Sequence, residues 1–182
     1  MSSTYTPHSD KVSPTGCISI VGMAAAGKTT LGRELAALLD WPQMDTDHLI
    51  EATYGSSLQD ITDTMTKEEF LDVEGLVISR IMVSRTIIST GGSAVYRKNA
   101  MDHLQKLGPI IYLDVDLPII LERIARKPER GLAMGPGQTI EDLFLERKAL
   151  YEYFATVTIK GGEAPSATYA AKAAAWLSFP YE

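Results

Sequence analysis

Several things are scarce in this sequence, and each shortage narrows what the chain can be. One cysteine, Cys17, stands among 182 residues, so no intrachain disulfide can form. It falls in an apolar run and reads as a small buried hydrophobe. No apolar stretch approaches the ~20 residues a membrane-spanning helix needs. Basic residues are in the minority: 17 Lys and Arg face 23 Asp and Glu, a net charge of −6. That balance argues against non-specific binding to nucleic acid or to an anionic membrane. A few arginines gathered in one cleft could still take an anionic substrate. Residues 1–15 carry no basic region followed by an apolar core, so they do not read as a secretory signal. They read as a flexible polar arm. There is no internal repeat and no guanine-reading Asn/Thr-Lys-x-Asp stretch. The expectation is a cytoplasmic protein with one domain over residues 16–182 and neither nucleic acid nor membrane as a partner.

What is present is more pointed. Residues 22–29 read Gly-Met-Ala-Ala-Ala-Gly-Lys-Thr, the pattern G-x-x-x-x-G-K-[ST]. The run Cys17–Val21 before it reads as a buried strand, and Thr30–Leu39 after it has apolar residues at helical spacing. Strand, glycine-framed loop and helix is the setting in which this pattern cradles phosphates. Gly22 and Gly27 allow the backbone to turn. The stretch Ala24, Ala25, Ala26, Gly27, Lys28, Thr29 and Thr30 supplies the expected nucleotide contacts at a helix N-terminus. Lys28 brings a full charge to the outer phosphates, and the Thr29 hydroxyl can ligate Mg²⁺.

Along the rest of the chain, strand signals alternate with helical ones. Gln43-Met44 forms a weak second strand, Thr86–Thr90 a strong third, Pro109–Leu113 a fourth and Val157–Ile159 a last. Between them the spacing predicts helices over 47–54, 58–64, 67–84, 100–107, 117–126, 139–154 and 167–177. The 67–84 helix has Phe70, Val73, Leu76, Val77, Ile78 and Ile81 on its apolar side. Residues 127–138 hold two prolines and three glycines and read as a mobile loop. Such alternation means a parallel sheet with helices on both faces. Ligands of such sheets lie beyond the carboxyl ends of the strands. Those ends deliver the glycine-framed loop, Asp45-Thr46-Asp47, Gly91-Gly92-Ser93, and Asp114 with Asp116. Of two carboxylates one residue apart, one can hold Mg²⁺ and the other can orient a hydroxyl for attack on phosphorus. Asp47 can also cap the helix it opens. Gly91-Gly92 allows close backbone approach to a ligand. Asp114 and Asp116 read as solvated strand ends. Arg123, Arg126, Arg130 and Arg147 flank or lie in the loop, where cations could surround a transferring phosphoryl group.

From Gly16 to about Ile159 these pieces, in this order, resemble the shikimate kinase family. The matching residues are Gly22–Thr29, Asp45-Thr46-Asp47 with Ile50-Glu51, Phe70 and Glu74, Ile88–Gly92, Arg123, Glu129–Leu132, and Glu146-Arg147 with Leu150-Tyr151. The resemblance implies an α/β fold of the P-loop, nucleoside-monophosphate-kinase-like kind: a five-stranded parallel sheet, helices on both faces, and a mobile lid at about 127–138. It implies transfer of the γ-phosphoryl of ATP, with Mg²⁺, to a ring hydroxyl of shikimate. Carried over by position, Lys28, Asp47 and Arg130 are catalytic. Asp45 and Thr29 serve the metal, Arg123 lies near the adenine, and Asp47, Gly91, Gly92, Ser93 and Arg147 bind the acceptor. Gly91 and Gly92 would offer backbone donors, and Arg147 would pair with the substrate carboxylate. A monomer is expected.

Three positions depart from the family pattern: Leu71 replaces an arginine that pairs with the same carboxylate, Ser93 a glycine, and Gly131 a proline. Leu71 would make that wall apolar. Either another cation, Arg97 or Lys98, replaces the lost arginine, or the acceptor is a different hydroxylated metabolite such as homoserine or gluconate. A non-catalytic nucleotide-binding regulator is the alternative of another class.

Overall fold

A computed structural model describes residues 16–126 and 132–177. Five strands form one parallel sheet: β1 (Ile18–Val21), β2 (Gln43–Asp45), β3 (Ile87–Ser89), β4 (Ile110–Asp114) and β5 (Val157–Lys160). Their order is β2-β3-β1-β4-β5. Ile20 stands level with Ser89 on one side and Ile111 on the other. The carboxyl ends of the strands therefore line up along one edge, and every loop that leaves them faces the same side of the molecule.

Side chains alternate across the sheet, and both faces are apolar. Ile18, Ile20, Ile87, Ile111 and Leu113 pack under α1 (Lys28–Leu39) and α8 (Ser166–Leu177). Val21, Ile88, Ile110 and Tyr112 pack under α4 (Lys67–Ser79) and α5 (Lys98–Leu107). Burying each such side chain contributes about 1.5–3 kcal/mol. The remaining helices are α2 (Thr46–Tyr54), α3 (Leu58–Thr64), α6 (Leu117–Ala125) and α7 (Ile140–Phe154). The last crosses from one layer to the other: Leu143 and Phe144 join the first core, Tyr151 and Phe154 the second. Thr139 and Asp142 cap its start reciprocally.

Three sequence expectations change. The helix predicted over 67–84 stops at Ser79, because Arg85 and Thr86 already hydrogen-bond beside β1 (Arg85 N to Gly16 O, 3.2 Å; Ile18 N to Thr86 O, 3.1 Å). The chain must leave the helix to get there. On that helix Leu76 is exposed rather than packed. Asp114 is buried, not solvated. Tyr112 donates to it at 3.1 Å, Lys160 pairs with it, and Lys148 lies 4.0 Å away. A short 3₁₀ turn at Ala94–Tyr96 was not foreseen. Of the expected lid, residues 127–131 lie outside the described residues, and with them Arg130.

Candidate active site

The loop between β1 and α1 turns through left-handed backbone at Gly27 (φ 102°) and also at Ala25 (φ 63°). Gly27 caps α1 without a side chain, so the first amides of the helix face outward for an anion. The Lys28 ammonium folds back over this loop and donates to the carbonyls of Gly22 and Met23, each at 2.9 Å. The loop is braced from beneath. Gln43 Nε2 donates to Thr29 O and to Ser89 Oγ, both at 3.0 Å, and Ser89 Oγ donates to Lys28 O at 3.3 Å.

Next to it, Thr29 Oγ1 donates to Asp45 Oδ2 at 2.7 Å. The other Asp45 oxygen accepts the Asp47 amide at 3.0 Å and caps α2. Thr29 and Asp45 are hard oxygen donors. Among the described residues no cluster of three His, Cys, Asp or Glu could hold a metal by itself. A cation that keeps most of its waters and leans on phosphate oxygens, as Mg²⁺ does, fits this pair.

Beyond the loop opens a cavity of about 350 Å³, lined by Asp47, Phe70, Glu74, Gly91, Gly92 and Arg147 among others, with Lys28 and Thr29 at its loop end. Phe70 and Glu74 reach it because they are one helical turn apart on α4. Gly91 is there for space. A Cβ at this position would lie 2.3 Å from Glu74 Oε1 and 2.7 Å from Asp47 Oδ1. Its amide is not the expected substrate donor, since it donates to Thr46 Oγ1 at 2.9 Å. Gly92 separates the loop from Arg147: a Cβ there would be 3.1 Å from both Ala24 N and Arg147 Nη1. The Gly92 carbonyl accepts from Tyr151 at 2.6 Å. Ser93 is buried beside them.

Arg147 is 1% exposed. Its Nη2 donates to Ala133 O at 3.0 Å and its Nε to Tyr96 Oη at 3.3 Å, and the guanidinium lies over the Tyr96 ring. Among the described residues no carboxylate pairs with it. Glu74 is the opposite case. It is 1% exposed, and neither of its oxygens has a hydrogen-bond partner. Burial lifts its carboxyl to about 7, and the Asp47 charge adds to this. The nearby Ser93 hydroxyl, Arg147 and Lys28 pull the other way.

A second cavity, of about 360 Å³, shares Ala25, Gly27 and Thr30 with the first. Arg123 lines it and clamps its walls, donating to Ala25 O (3.2 Å), Ala26 O (3.0 Å) and Gly162 O (2.8 Å). Sequence reasoning missed Gly161-Gly162 and Tyr169 here, Ala133 at the first cavity and Tyr96 behind Arg147. Gly161-Gly162 follows β5 directly, so the strand-end rule would have found it had it been carried to the last strand.

The two cations suggested as substitutes at position 71 are engaged elsewhere. Arg97 pairs with Glu68 (2.8 Å) and Asp72 (2.7 Å), and Lys98 with Asp102 (2.6 Å). Neither lines the cavity, and nor does Leu71, which is buried. Phe70 is the apolar residue that α4 puts on the cavity, beside Leu58 and Leu132 from other elements.

The family described as shikimate kinase matches residues 24–178 of this sequence. The chain belongs to the shikimate kinase family. Among curated relatives, the shikimate kinase of Nitrobacter winogradskyi is 35% identical over 151 residues, which is 81% of this chain and 70% of the relative. That of Pasteurella multocida is 35% identical over 80% of this chain and 86% of its own. Among solved structures, shikimate kinase from Acinetobacter baumannii in complex with shikimate superposes with a TM-score of 0.79 at 30% identity, covering 88% of this chain and 91% of that one. As in its shikimate kinase relatives of solved structure, the chain is built on the P-loop kinase fold.

Proposed function

We propose that this chain transfers the γ-phosphoryl group of ATP to a ring hydroxyl of shikimate, forming shikimate 3-phosphate. The observation that carries the reading is Arg147. It is a buried cation with no carboxylate partner among the described residues, on the wall of a cavity that Asp47 also lines and the phosphate loop bounds. An unpaired buried charge is costly, and an anionic acceptor would offset that cost where the chemistry happens. The acceptor's carboxylate goes to Arg147 and its hydroxyl to Asp47, which holds it in line and takes its proton. Lys28 and the amides of residues 24–30 receive the phosphates. ATP's base lies in the second cavity near Arg123, and Arg130 serves the transferring group. Gly92 and Ser93 shape the acceptor side. Mg²⁺, when bound, neutralises phosphate charge as it develops; Asp45 and Thr29 would hold it. On this reading residues 16–182 are one kinase domain, working as a monomer in the cytoplasm; among the described residues no helix is long and apolar enough to cross a membrane.

The test is ADP release in a coupled assay with shikimate, homoserine and gluconate offered separately. Saturable turnover with shikimate is expected. No turnover with shikimate beside saturable turnover with another acceptor overturns the assignment. A second result is expected at the metal pair: Asp45→Ala raises the Mg²⁺ concentration for half-maximal rate roughly tenfold. An unchanged Mg²⁺ titration would remove Asp45 from that role.

A further inference from the structure

Besides Ala133 and Tyr96, a third residue bears on Arg147. Tyr151 stands one turn further along α7, on the same face. It is buried and does not line the cavity. Its hydroxyl donates to Gly92 O at 2.6 Å and lies beside the Arg147 guanidinium. Its ring stacks on Tyr112 of β4, with centroids 5.1 Å apart, and Tyr112 is anchored in turn by its bond to Asp114 Oδ1 at 3.1 Å. The hydroxyl is therefore held in place from behind. Burial pushes it well above its ordinary value, against the pull of Arg147, so it remains a donor throughout the neutral range. The carbonyl it holds belongs to the Gly92–Ser93 peptide, which is trans. In a trans peptide the N–H points opposite to the carbonyl, so fixing one fixes the direction of the other. Gly92 and Ser93 both line the cavity. A Cβ on Gly92 would lie 3.1 Å from Arg147 Nη1, so backbone that drifts here meets the guanidinium.

We propose that Tyr151 is a positioning residue for the acceptor: its hydroxyl pins the Gly92–Ser93 peptide beside Arg147 and so sets the gap between cation and backbone that an anionic acceptor enters. The acceptor group affected is the carboxylate on Arg147, not the hydroxyl on Asp47. The effect therefore falls on acceptor binding and passes through Arg147.

The inference rests on the proposed function, and its test separates the two. Acceptor and ATP KM values are measured for the wild type, Tyr151→Phe, Tyr112→Phe, Arg147→Met and the double variant Tyr151→Phe with Arg147→Met, each beside a melting curve. Tyr151→Phe removes the hydroxyl and keeps the stacked ring. It raises the acceptor KM roughly fivefold and leaves the ATP KM within about twofold. Tyr112→Phe is the matched control, since it strips a buried tyrosine hydroxyl from the same core, but one bonded to Asp114. Its acceptor KM stays within about twofold of the wild type. In the double variant, Tyr151→Phe adds less than about twofold to the acceptor KM of Arg147→Met, because it acts through that cation. Four results overturn the role of Tyr151 and leave the functional reading standing: an unchanged acceptor KM in Tyr151→Phe, an ATP KM that rises as much as the acceptor KM, an equal rise in Tyr112→Phe, or an undiminished further rise in the double variant. Absence of wild-type turnover on shikimate overturns both. Should Tyr151→Phe fail to fold, Tyr151→Met, whose flexible side chain fills the same space without a donor, is judged by the same outcomes.

Discussion

Asp47→Asn should lower kcat by roughly 10²–10⁴-fold. The substitution keeps the shape of the side chain and removes its capacity to take a proton. The backbone at this position is held independently, because the Asp47 amide donates to Asp45 Oδ1 at 3.0 Å. Helix α2 therefore keeps its cap in the variant, and a loss of rate would report on chemistry rather than on folding. On the proposed function the nucleotide contacts come from another element, the loop before α1, so ATP affinity measured by equilibrium titration should stay within about twofold. A variant that turns over at the wild-type rate would deny Asp47 the role of base. One that lost ATP affinity in the same proportion as rate would place it in nucleotide binding instead. A nucleotide-binding regulator would have no rate to lose.

Arg147→Met should raise the acceptor KM roughly 10- to 100-fold, the loss expected for one charge-assisted pair. Methionine fills much of the arginine's volume but supplies no donor, and here the donors are already oriented: Nη2 by Ala133 O at 3.0 Å and Nε by Tyr96 Oη at 3.3 Å. Because those contacts fix the plane of the guanidinium, lysine should not restore the wild-type KM. The fold should tolerate the change, since replacing a buried charge that lacks a counter-ion by an apolar side chain is often neutral or stabilising. Steady-state kinetics with varied acceptor at saturating ATP, beside a melting curve, separates these effects. An unchanged acceptor KM would mean that the acceptor's anionic group lies elsewhere in the cavity.

Much of this architecture is legible in the residues because it is local. A phosphate-binding loop announces itself in eight consecutive positions, 22–29. The alternation of strands and helices dictates a parallel sheet, and a parallel sheet says which ends of the strands face the ligand. What could not be read is what depends on partners far apart in the chain. Asp114 is buried because Lys160 and Lys148 reach it, and no local pattern announces either partner. The Gly91 amide is engaged by Thr46, 45 residues away, so a glycine that reads as a donor serves instead as room between two acids. Helix α4 ends early because Arg85 and Thr86 are drawn to the start of β1, while the apolar periodicity continues through Ile81, which is buried outside the helix. Arg97 and Lys98 were reasonable substitutes for a cation at position 71 by charge, yet each has an acidic neighbour that holds it away from the cavity.

Gly92 is the whole thickness of the partition between the phosphate loop and Arg147: a single methyl group placed there would touch the Ala24 amide on one side and the guanidinium on the other. On the proposed function, the triphosphate and the acceptor would meet across this one residue, inside a single cavity. A shift of the loop on binding triphosphate would then press on Arg147, and any such coupling would be equal in free energy in both directions. Affinity for either ligand would then vary with the other's concentration, and constants measured with one ligand alone would not describe the enzyme at work.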